Sequence, residues 1–170
     1  MKTKFCSMAV AIFLVAGGGL QTALAASTAA QAITATAINP ADEDSIKKVL
    51  ASYETALNAS NTEAVMSLYA DNAVLLPQEI PTVVGDEAVK QFYAGTFKAI
   101  KLDLKFQVAE VQLVSNEWAF LRTTSSGTLK ILATGNEVPV HNQELFVLHK
   151  QAGQWKLARY GFSSTLPARM

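Results

Sequence analysis

Apolar residues recur at spacings of three and four after Pro40, a pattern that predicts an amphipathic helix. Asn39 and Pro40 suit the start of this helix, because asparagine is a good cap and proline fits the first helical position. The apolar face of the helix carries Ile46, Val49, Leu50, Tyr53 and Leu57. The pattern therefore places a tyrosine on the buried side of the first helix.

Two further helices are predicted upstream of the sheet. Ser60 and Glu63 have the spacing of a capping box, so a short second helix is expected to begin there. Its apolar side is predicted to carry Val65, Leu68 and Tyr69. A third helix is expected after Gly85. Its predicted buried side carries Val89, Phe92, Tyr93, Thr96 and Phe97.

The apolar period then changes to two, which indicates strands. Even positions are apolar from Leu102 to Val108, whereas Val111 and Leu113 occupy odd positions. This change of phase predicts a bulge near Ala109-Glu110 that bends a long strand. Three more strands are expected, separated by short turns, at residues 117–132, 138–149 and 154–164. Short turns between long strands predict an antiparallel meander.

Helices followed by such a sheet predict an α+β fold, with three N-terminal helices covering one face of a bent antiparallel sheet. This pattern occupies residues 40–167, and no internal repeat or second domain is apparent. Residues 26–39 are rich in alanine and threonine and carry no charge. We therefore expect a flexible linker there.

The N-terminal segment has the order of features found in a secretory signal peptide. Lys2 and Lys4 precede a short apolar run, which is followed by three glycines and the small-residue site Ala23-Leu24-Ala25. A second small-residue site lies at Ala30-Gln31-Ala32. The apolar run is about half of the ~20 residues that a membrane-spanning helix needs. We therefore expect residues 1–25 to be a signal peptide, with export to the periplasm or the medium and no membrane attachment after cleavage.

Charge and cysteine content narrow the classes of function. The chain of 170 residues has 14 basic and 14 acidic residues, a balance that argues against a nucleic-acid partner. Cleavage would remove Lys2 and Lys4, leaving 12 basic against 14 acidic residues, and would also remove Cys6, the single cysteine. A mature protein without cysteine has no thiol nucleophile, disulfide or cysteine metal site.

Three stretches of the chain carry a family resemblance. They are LYADNAVLLP from Leu68 to Pro77, VGDEAV with the following Phe92-Tyr93, and the final hairpin from Phe146 to Ser164. Together these stretches resemble the nuclear transport factor 2-like superfamily, and within it the SnoaL-like and SgcJ/EcaC families. The resemblance covers about residues 42–167 and implies a cystatin-like, cone-shaped α+β barrel with a pocket between helices and sheet, often dimeric through the sheet. Because this superfold hosts isomerases, cyclases, dehydratases and non-catalytic binders, it specifies fold better than function.

Ketosteroid isomerase, one member of this superfamily, uses a carboxylate base and hydrogen-bond donors at an oxyanion. Tyr53, in the run Tyr53-x-x-x-Leu57-Asn58, is similar in place to the oxyanion tyrosine of that enzyme. The base does not carry over, because Leu76 precedes Pro77 where the isomerase has an aspartate. Tyr53 is therefore a candidate ligand-binding or catalytic residue, and equally a core tyrosine whose hydroxyl reaches water.

The last hairpin supplies a second candidate pair. A turn near residues 151–153 that sets Leu148 opposite Trp155 also sets Glu144 opposite Arg159. The same register places Asn142 on that face, opposite Gly161. This face is expected to be the concave one, because it also carries the large apolar residues of the hairpin.

Glu144 and Arg159 in this register form either a structural ion pair or a pair of ligand-binding groups. An arginine neighbour lowers the pKa of a glutamate, so a paired Glu144 is a weak base. A slip of one residue would instead bring Gln143 and Tyr160 to this face.

Two further residues are candidate proton acceptors. His141 and Glu144 have opposite parity along the strand, so their side chains point to opposite faces. His141 therefore reaches the pocket only in another register. Asp71 stands where the resembling families commonly have an acid, although Asp71-Asn72 is also typical of a turn at a helix exit. His141 and His149 lie about 27 Å apart along one strand, too far to share a metal ion. The expected ligand-binding residues are Leu57, Leu76, Phe92, Trp118, Asn142 and Arg159.

These features predict an exported SnoaL-like protein that binds a small, largely apolar molecule in its pocket. The alternative is an isomerase- or cyclase-like enzyme that transfers a proton on a carbonyl substrate, with Tyr53 as electrophile and Glu144, His141 or Asp71 as acceptor. A second alternative is a dimerisation or assembly module that uses apolar residues on the outer face of the sheet, such as Leu145. No metal site and no nicotinamide or flavin fingerprint is present in the sequence, so no cofactor is expected.

Overall fold

Three helices precede most of the sheet, as the apolar pattern predicts. The computed structural model describes residues 39–167, so the predicted signal peptide and most of the predicted linker lie outside the described residues. The elements are α1 (Pro40–Asn58), α2 (Thr62–Met66), β1 (Tyr69–Leu76), β2 (Val83–Val84), α3 (Asp86–Ala99), β3 (Ile100–Leu113), β4 (Trp118–Ile131), β5 (Glu137–Gln151) and β6 (Gln154–Ser164). No described helix is both long and apolar enough to cross a membrane.

The strands form one curved, unclosed sheet in the order β2-β1-β6-β5-β4-β3. Strands β3 to β6 form the antiparallel meander that the short turns predict. Strand β1 pairs parallel with β6, which makes the sheet mixed. The turn pattern does not reveal this pairing, because β1 and β6 are distant in the sequence. The predicted α+β class is confirmed.

Helix α1 is fixed to the edge strand β3 by two side chains. Asn58 accepts a hydrogen bond from the Leu104 N–H at 2.9 Å and donates one to the Leu104 carbonyl at 2.8 Å. Glu54 accepts from the Phe106 N–H at 2.9 Å. These contacts satisfy backbone groups that an edge strand otherwise leaves free, and they hold the helix across the concave side of the sheet.

The second helix begins one residue later than the capping box predicts. Asn61 is its cap and accepts from the Ala64 N–H at 3.0 Å. Ser60 instead adopts a left-handed conformation with φ 54° just after α1. The predicted capping box is therefore wrong, because Ser60 forms the left-handed turn that follows α1. Tyr69, predicted on α2, is the first residue of β1.

Two features shape the β3–β4 pair. The register shifts between Val108 and Glu110, which confirms the bulge predicted near Ala109-Glu110. Farther along, Gly127 has φ +152°, and a Cβ built there would lie 2.0 Å from the Asp103 carbonyl oxygen. The two backbones therefore approach so closely that only glycine fits at this position.

The β5–β6 hairpin differs from the predicted register. Its turn consists of Ala152 and Gly153, both with positive φ, so Leu148 pairs with Leu157 rather than with Trp155. The register then shifts by one residue, because Ala158 is an extra residue between Leu157 and Arg159. Beyond this bulge, side chains of β6 face the opposite way from the prediction.

The close approach at Gly127 gives a test of the fold. We expect Gly127→Ala to lower the free energy of unfolding by at least about 2 kcal/mol, because the methyl group would force the strands apart. The matched control is Gly95→Ala in α3, where a Cβ meets no atom within 4 Å. Gly95→Ala should stabilise the protein by up to about 1 kcal/mol.

Urea denaturation followed by circular dichroism measures both variants. Equal stabilities of Gly127→Ala and the wild type would contradict the close approach of β3 and β4.

Candidate functional site

A cavity of about 600 Å³ lies between the helices and the concave face of the sheet. Its walls are mainly apolar and include Leu57, Phe92, Ile100, Leu102, Leu129 and Val140. Its polar lining includes Tyr53, Tyr93, Asn142 and Tyr160, with Gln78 and Glu79. A mainly apolar wall with a few polar groups is typical of a small-molecule site, and the volume is in the usual range.

All four tyrosines of the chain are buried; Tyr53, Tyr93 and Tyr160 line this cavity, and Tyr69 contacts Tyr93 from behind the wall. The hydroxyl of Tyr93 lies 2.8 Å from that of Tyr53 and 2.8 Å from that of Tyr69. The ring of Tyr160 stands edge-on to Tyr53 at a centroid distance of 5.5 Å. Three hydroxyl hydrogens supply only two hydrogen bonds in the Tyr53–Tyr93–Tyr69 chain, so one hydrogen remains for a further acceptor.

Burial keeps these phenols neutral. It raises the pKa of Tyr53, Tyr69, Tyr93 and Tyr160 well above the usual range of tyrosine. The negative charge of Glu144 adds to this effect on the pKa of Tyr160. The tyrosines therefore act as hydrogen-bond donors and acceptors that keep their protons at neutral pH.

Glu144 is a buried carboxylate on the concave side of β5, with 4% of its surface exposed. Its two oxygens accept hydrogen bonds from Thr123 Oγ1 and Ser125 Oγ, the latter at 2.6 Å. Asn142, which precedes Glu144 on the same face, donates from Nδ2 to Ser125 Oγ at 3.3 Å. The carboxylate is thus held by hydroxyl groups instead of a cation.

The pKa of Glu144 reflects this setting. Burial raises the pKa above the ordinary value of glutamate, and the hydroxyls of Ser125, Thr123 and Tyr160 oppose that rise by stabilising the charged form. Because burial has the larger effect, the folded protein holds a proton on Glu144 more readily than the unfolded chain does.

The structure brings together five of the residues predicted for the site. Tyr53, Leu57, Phe92 and Asn142 line the cavity, and Glu144 lies beside Asn142 on the same strand face. The predicted pairing of Glu144 with Arg159 is wrong. The Ala158 bulge turns Arg159 outward and brings Tyr160 inward, so Phe162 is the residue opposite Glu144.

Three other predicted site residues lie outside the cavity because they occupy the outer face of the sheet. His141 is exposed there, because it lies an odd number of residues from Glu144 on β5 and so points to the opposite face. Trp118 stacks on His149 with ring centroids 4.1 Å apart and is 39% exposed. Leu76 is 46% exposed, and the alternate residue Leu75 is the buried one.

Asp71 and Arg159 both lie outside the cavity, near the irregular part of β1. Asp71 is exposed next to Asn72, whose φ of 57° marks a local turn within the strand. Arg159 Nη1 donates to the carbonyls of Asn72 at 3.2 Å and Ala158 at 2.7 Å. Arg159 therefore stabilises the backbone around the bulge and does not reach the cavity.

Sequence reasoning missed Thr123 and Ser125 as components of the site, and it gave Tyr160 only as a residue that a slip of register would bring inward. A signal for the first two was present, because they continue the inward alternation of Ala119 and Leu121 on β4. Polar residues at inward positions of a strand indicate a buried polar cluster. Within residues 39–167, no group of three metal-ligating side chains could hold a metal ion.

The SnoaL-like domain family matches this chain over residues 49–158. The chain belongs to that family. This SnoaL-like domain is similar to the crystal structure of a ketosteroid isomerase-like protein from Erwinia carotovora atroseptica, with 35% identity and a TM-score of 0.70 over 73% of this chain and 96% of that chain. The cone-shaped α+β fold predicted from the sequence agrees with this likeness.

Two more distant structures share the fold of this SnoaL-like domain. A domain with a cystatin-like fold from Nostoc punctiforme has 17% identity and a TM-score of 0.62, covering 76% of this chain and 81% of that one. An NTF-2 like protein from Shewanella oneidensis has 19% identity and a TM-score of 0.58, covering 72% and 98%. No curated protein matches the chain.

The raised pKa of Glu144 makes stability depend on pH. Between the unfolded and the folded pKa the native state binds more protons, so the free energy of unfolding contributed by Glu144 falls as the pH rises. Glu144→Gln removes this dependence. We therefore expect the stability of Glu144→Gln relative to wild type to increase as the pH rises above about 4 and then to level off.

Chemical denaturation at a series of pH values measures this difference. Comparing the two proteins at each pH cancels the contributions of other carboxylates, such as Asp42 and Glu54, whose pKa values are lowered. If the stability of Glu144→Gln relative to wild type fell with rising pH, it would contradict the burial of a carboxylate that no cation neutralises.

Proposed function

We propose that this SnoaL-like domain binds a small, largely apolar molecule in its cavity and hydrogen-bonds an oxygen of that molecule through Tyr53. One observation carries the proposal. Tyr53 and Tyr93, two members of the hydrogen-bonded tyrosine chain, line an apolar cavity of about 600 Å³. A hydroxyl that itself accepts a hydrogen bond from a neighbour is a stronger donor. When the hydroxyl of Tyr93 donates to that of Tyr53, it therefore makes Tyr53 a stronger donor to the ligand.

The charge of the lining supports a neutral ligand. Among the described lining residues, Glu79 is the single charged side chain, and it is exposed. The cavity therefore offers no cation to an anionic ligand. A carbonyl or hydroxyl group on an apolar skeleton satisfies both the walls and the tyrosine donor.

Native mass spectrometry of the purified protein identifies a retained molecule, and calorimetry with that compound measures its dissociation constant. We expect Tyr53→Phe to weaken binding about tenfold, because it removes one buried hydrogen bond and little apolar area. The control Trp118→Phe changes an aromatic residue on the outer face and should leave the dissociation constant unchanged. Equal binding by Tyr53→Phe and wild type would contradict the assigned donor.

Acid–base catalysis on the same ligand is the second candidate function. It is favoured by Glu144, a buried carboxyl with raised pKa beside Tyr160, and by the 35% identity with a ketosteroid isomerase-like protein. The expected reaction is an isomerase- or cyclase-type proton transfer on a carbonyl compound, with Tyr53 as hydrogen-bond donor to the oxygen and Glu144 as proton acceptor. Asp71 and His141 are exposed outside the cavity and have no part in this version, whereas Glu144 contacts Tyr160, which lines the cavity.

Turnover of the retained compound separates the two candidates. Conversion that Glu144→Gln reduces by at least about a hundredfold would establish acid–base catalysis. Binding without any conversion would establish a carrier or sensor. Both assays use the same purified protein, so a failure to convert the compound is not confused with a failure to bind it.

We further infer that the protein is exported, acts as a homodimer and is a member of the SgcJ/EcaC family. Export is supported by the signal-peptide pattern of residues 1–25 and by the uncharged linker that follows. Dimerisation is supported by exposed apolar side chains on the outer face of the sheet, including Leu76, Trp118 and Leu145.

A further inference from the structure

A chain of hydrogen bonds leads from the buried carboxylate of Glu144 to the cavity wall. Ser125 Oγ donates to Glu144 Oε1 at 2.6 Å, and Asn142 Nδ2 donates to Ser125 Oγ at 3.3 Å. Asn142 lines the cavity, whereas Glu144 and Ser125 are 4% and 2% exposed. Glu144 is thus linked to the ligand space through two intermediate side chains.

Strand register places these groups together. Ser125 on β4 lies directly opposite Asn142 on β5, and Thr123 lies directly opposite Glu144. All four side chains are on the concave face, where adjacent residues of one strand face are two apart. The two hydroxyls of β4 therefore reach the same carboxylate, and one of them also reaches the amide.

The carboxylate fixes the direction of the chain. An ionised carboxylate only accepts hydrogen bonds, so Ser125 gives its single hydrogen to Glu144. The Ser125 oxygen then only accepts, and the amide of Asn142 must turn its Nδ2 toward it. Without this constraint either end of the amide could face a serine hydroxyl.

The opposite end of the amide is consequently directed away from Ser125. None of the hydrogen bonds within residues 39–167 ends on Asn142 Oδ1, and no buried polar side-chain atom of those residues lacks a partner. Oδ1 is therefore accessible at the cavity, where it is a free hydrogen-bond acceptor.

We propose that Glu144 is a positioning residue that makes Asn142 present its carbonyl oxygen to the cavity, so that the site selects ligands with a hydroxyl donor. The inference rests on the proposed binding function and adds the chemical class of the ligand. Tyr53 supplies a donor and Asn142 an acceptor. A hydroxyl group on an apolar skeleton is bound at Asn142, whereas a ketone or an ether at the same place leaves Oδ1 without a partner.

Nuclear magnetic resonance of the ligand-free protein tests the orientation directly, at about pH 8 so that the carboxylate is ionised. The side-chain amide signals of Asn142 are assigned by their loss in Asn142→Asp. We expect Ser125→Ala to shift these signals toward those of a free amide, and Ser125→Thr to restore them. The matched control is Thr123→Val, which removes the other hydroxyl from Glu144 and should leave the amide signals close to wild type.

If the cluster only stabilised the fold, the two variants would give a different result. Ser125→Ala and Thr123→Val each remove one hydrogen bond from the same buried carboxylate, so they should then perturb the Asn142 amide equally. Equal shifts in the two variants, or no shift in Ser125→Ala, would overturn the proposal.

Naphthol and its methyl ether are matched probes of selectivity, because only naphthol donates a hydrogen bond. We expect the wild type to bind naphthol about tenfold more tightly than the ether. The ratio should fall to within about twofold in Ser125→Ala and persist in Thr123→Val. A wild-type preference for the ether would overturn the selectivity.

The two measurements separate the inference from the function on which it rests. Failure of both probes to bind counts against the proposed cavity-binding function and against the ligand class. The amide signals still decide whether Ser125, the link between Glu144 and Asn142, orients the Asn142 amide, since they are recorded without ligand.

Discussion

The register shift at Ala158 decides which side chains of the last strand reach the cavity. This one extra residue turns Tyr160 and Phe162 toward the helices and leaves Arg159 on the outer side. A buried arginine beside Glu144 would have made an ion pair and lowered the pKa of the carboxyl. Because of the bulge, hydroxyl groups and not a cation bind the carboxylate. The polar character of the cavity wall depends on this arrangement.

The cavity is therefore an apolar cone with two polar clusters. One is the tyrosine chain, which joins α1, β1 and α3 through hydroxyl contacts of 2.8 Å. The other is the Glu144 cluster, which joins β4 and β5. Each contains groups that are costly to bury without partners, so each fixes the relative positions of the elements that carry it. Both clusters also place a polar group at the cavity wall.

Much of the fold follows from local patterns in the sequence. The spacing of Ile46, Leu50 and Tyr53 predicts α1, and the change of phase after Val108 predicts the bulge in β3. A similar change of phase was present in β6, where Trp155 and Leu157 are odd and Tyr160 is even. This change of phase indicates the second bulge, at Ala158. The parallel pairing of β1 with β6 had no such signal, because it joins distant segments.

The sequence by itself determined the α+β class, the bulge in β3 and the inward position of Tyr53. These follow from short-range periodicity and composition, which depend on neighbouring residues. Only the tertiary structure decided that Glu144 is held by Ser125 and Thr123, that Arg159 and His141 face outward, and that the four tyrosines meet. The physical reason is that strand register and bulges are set by packing between distant elements, and a shift of one residue reverses the face on which a side chain lies.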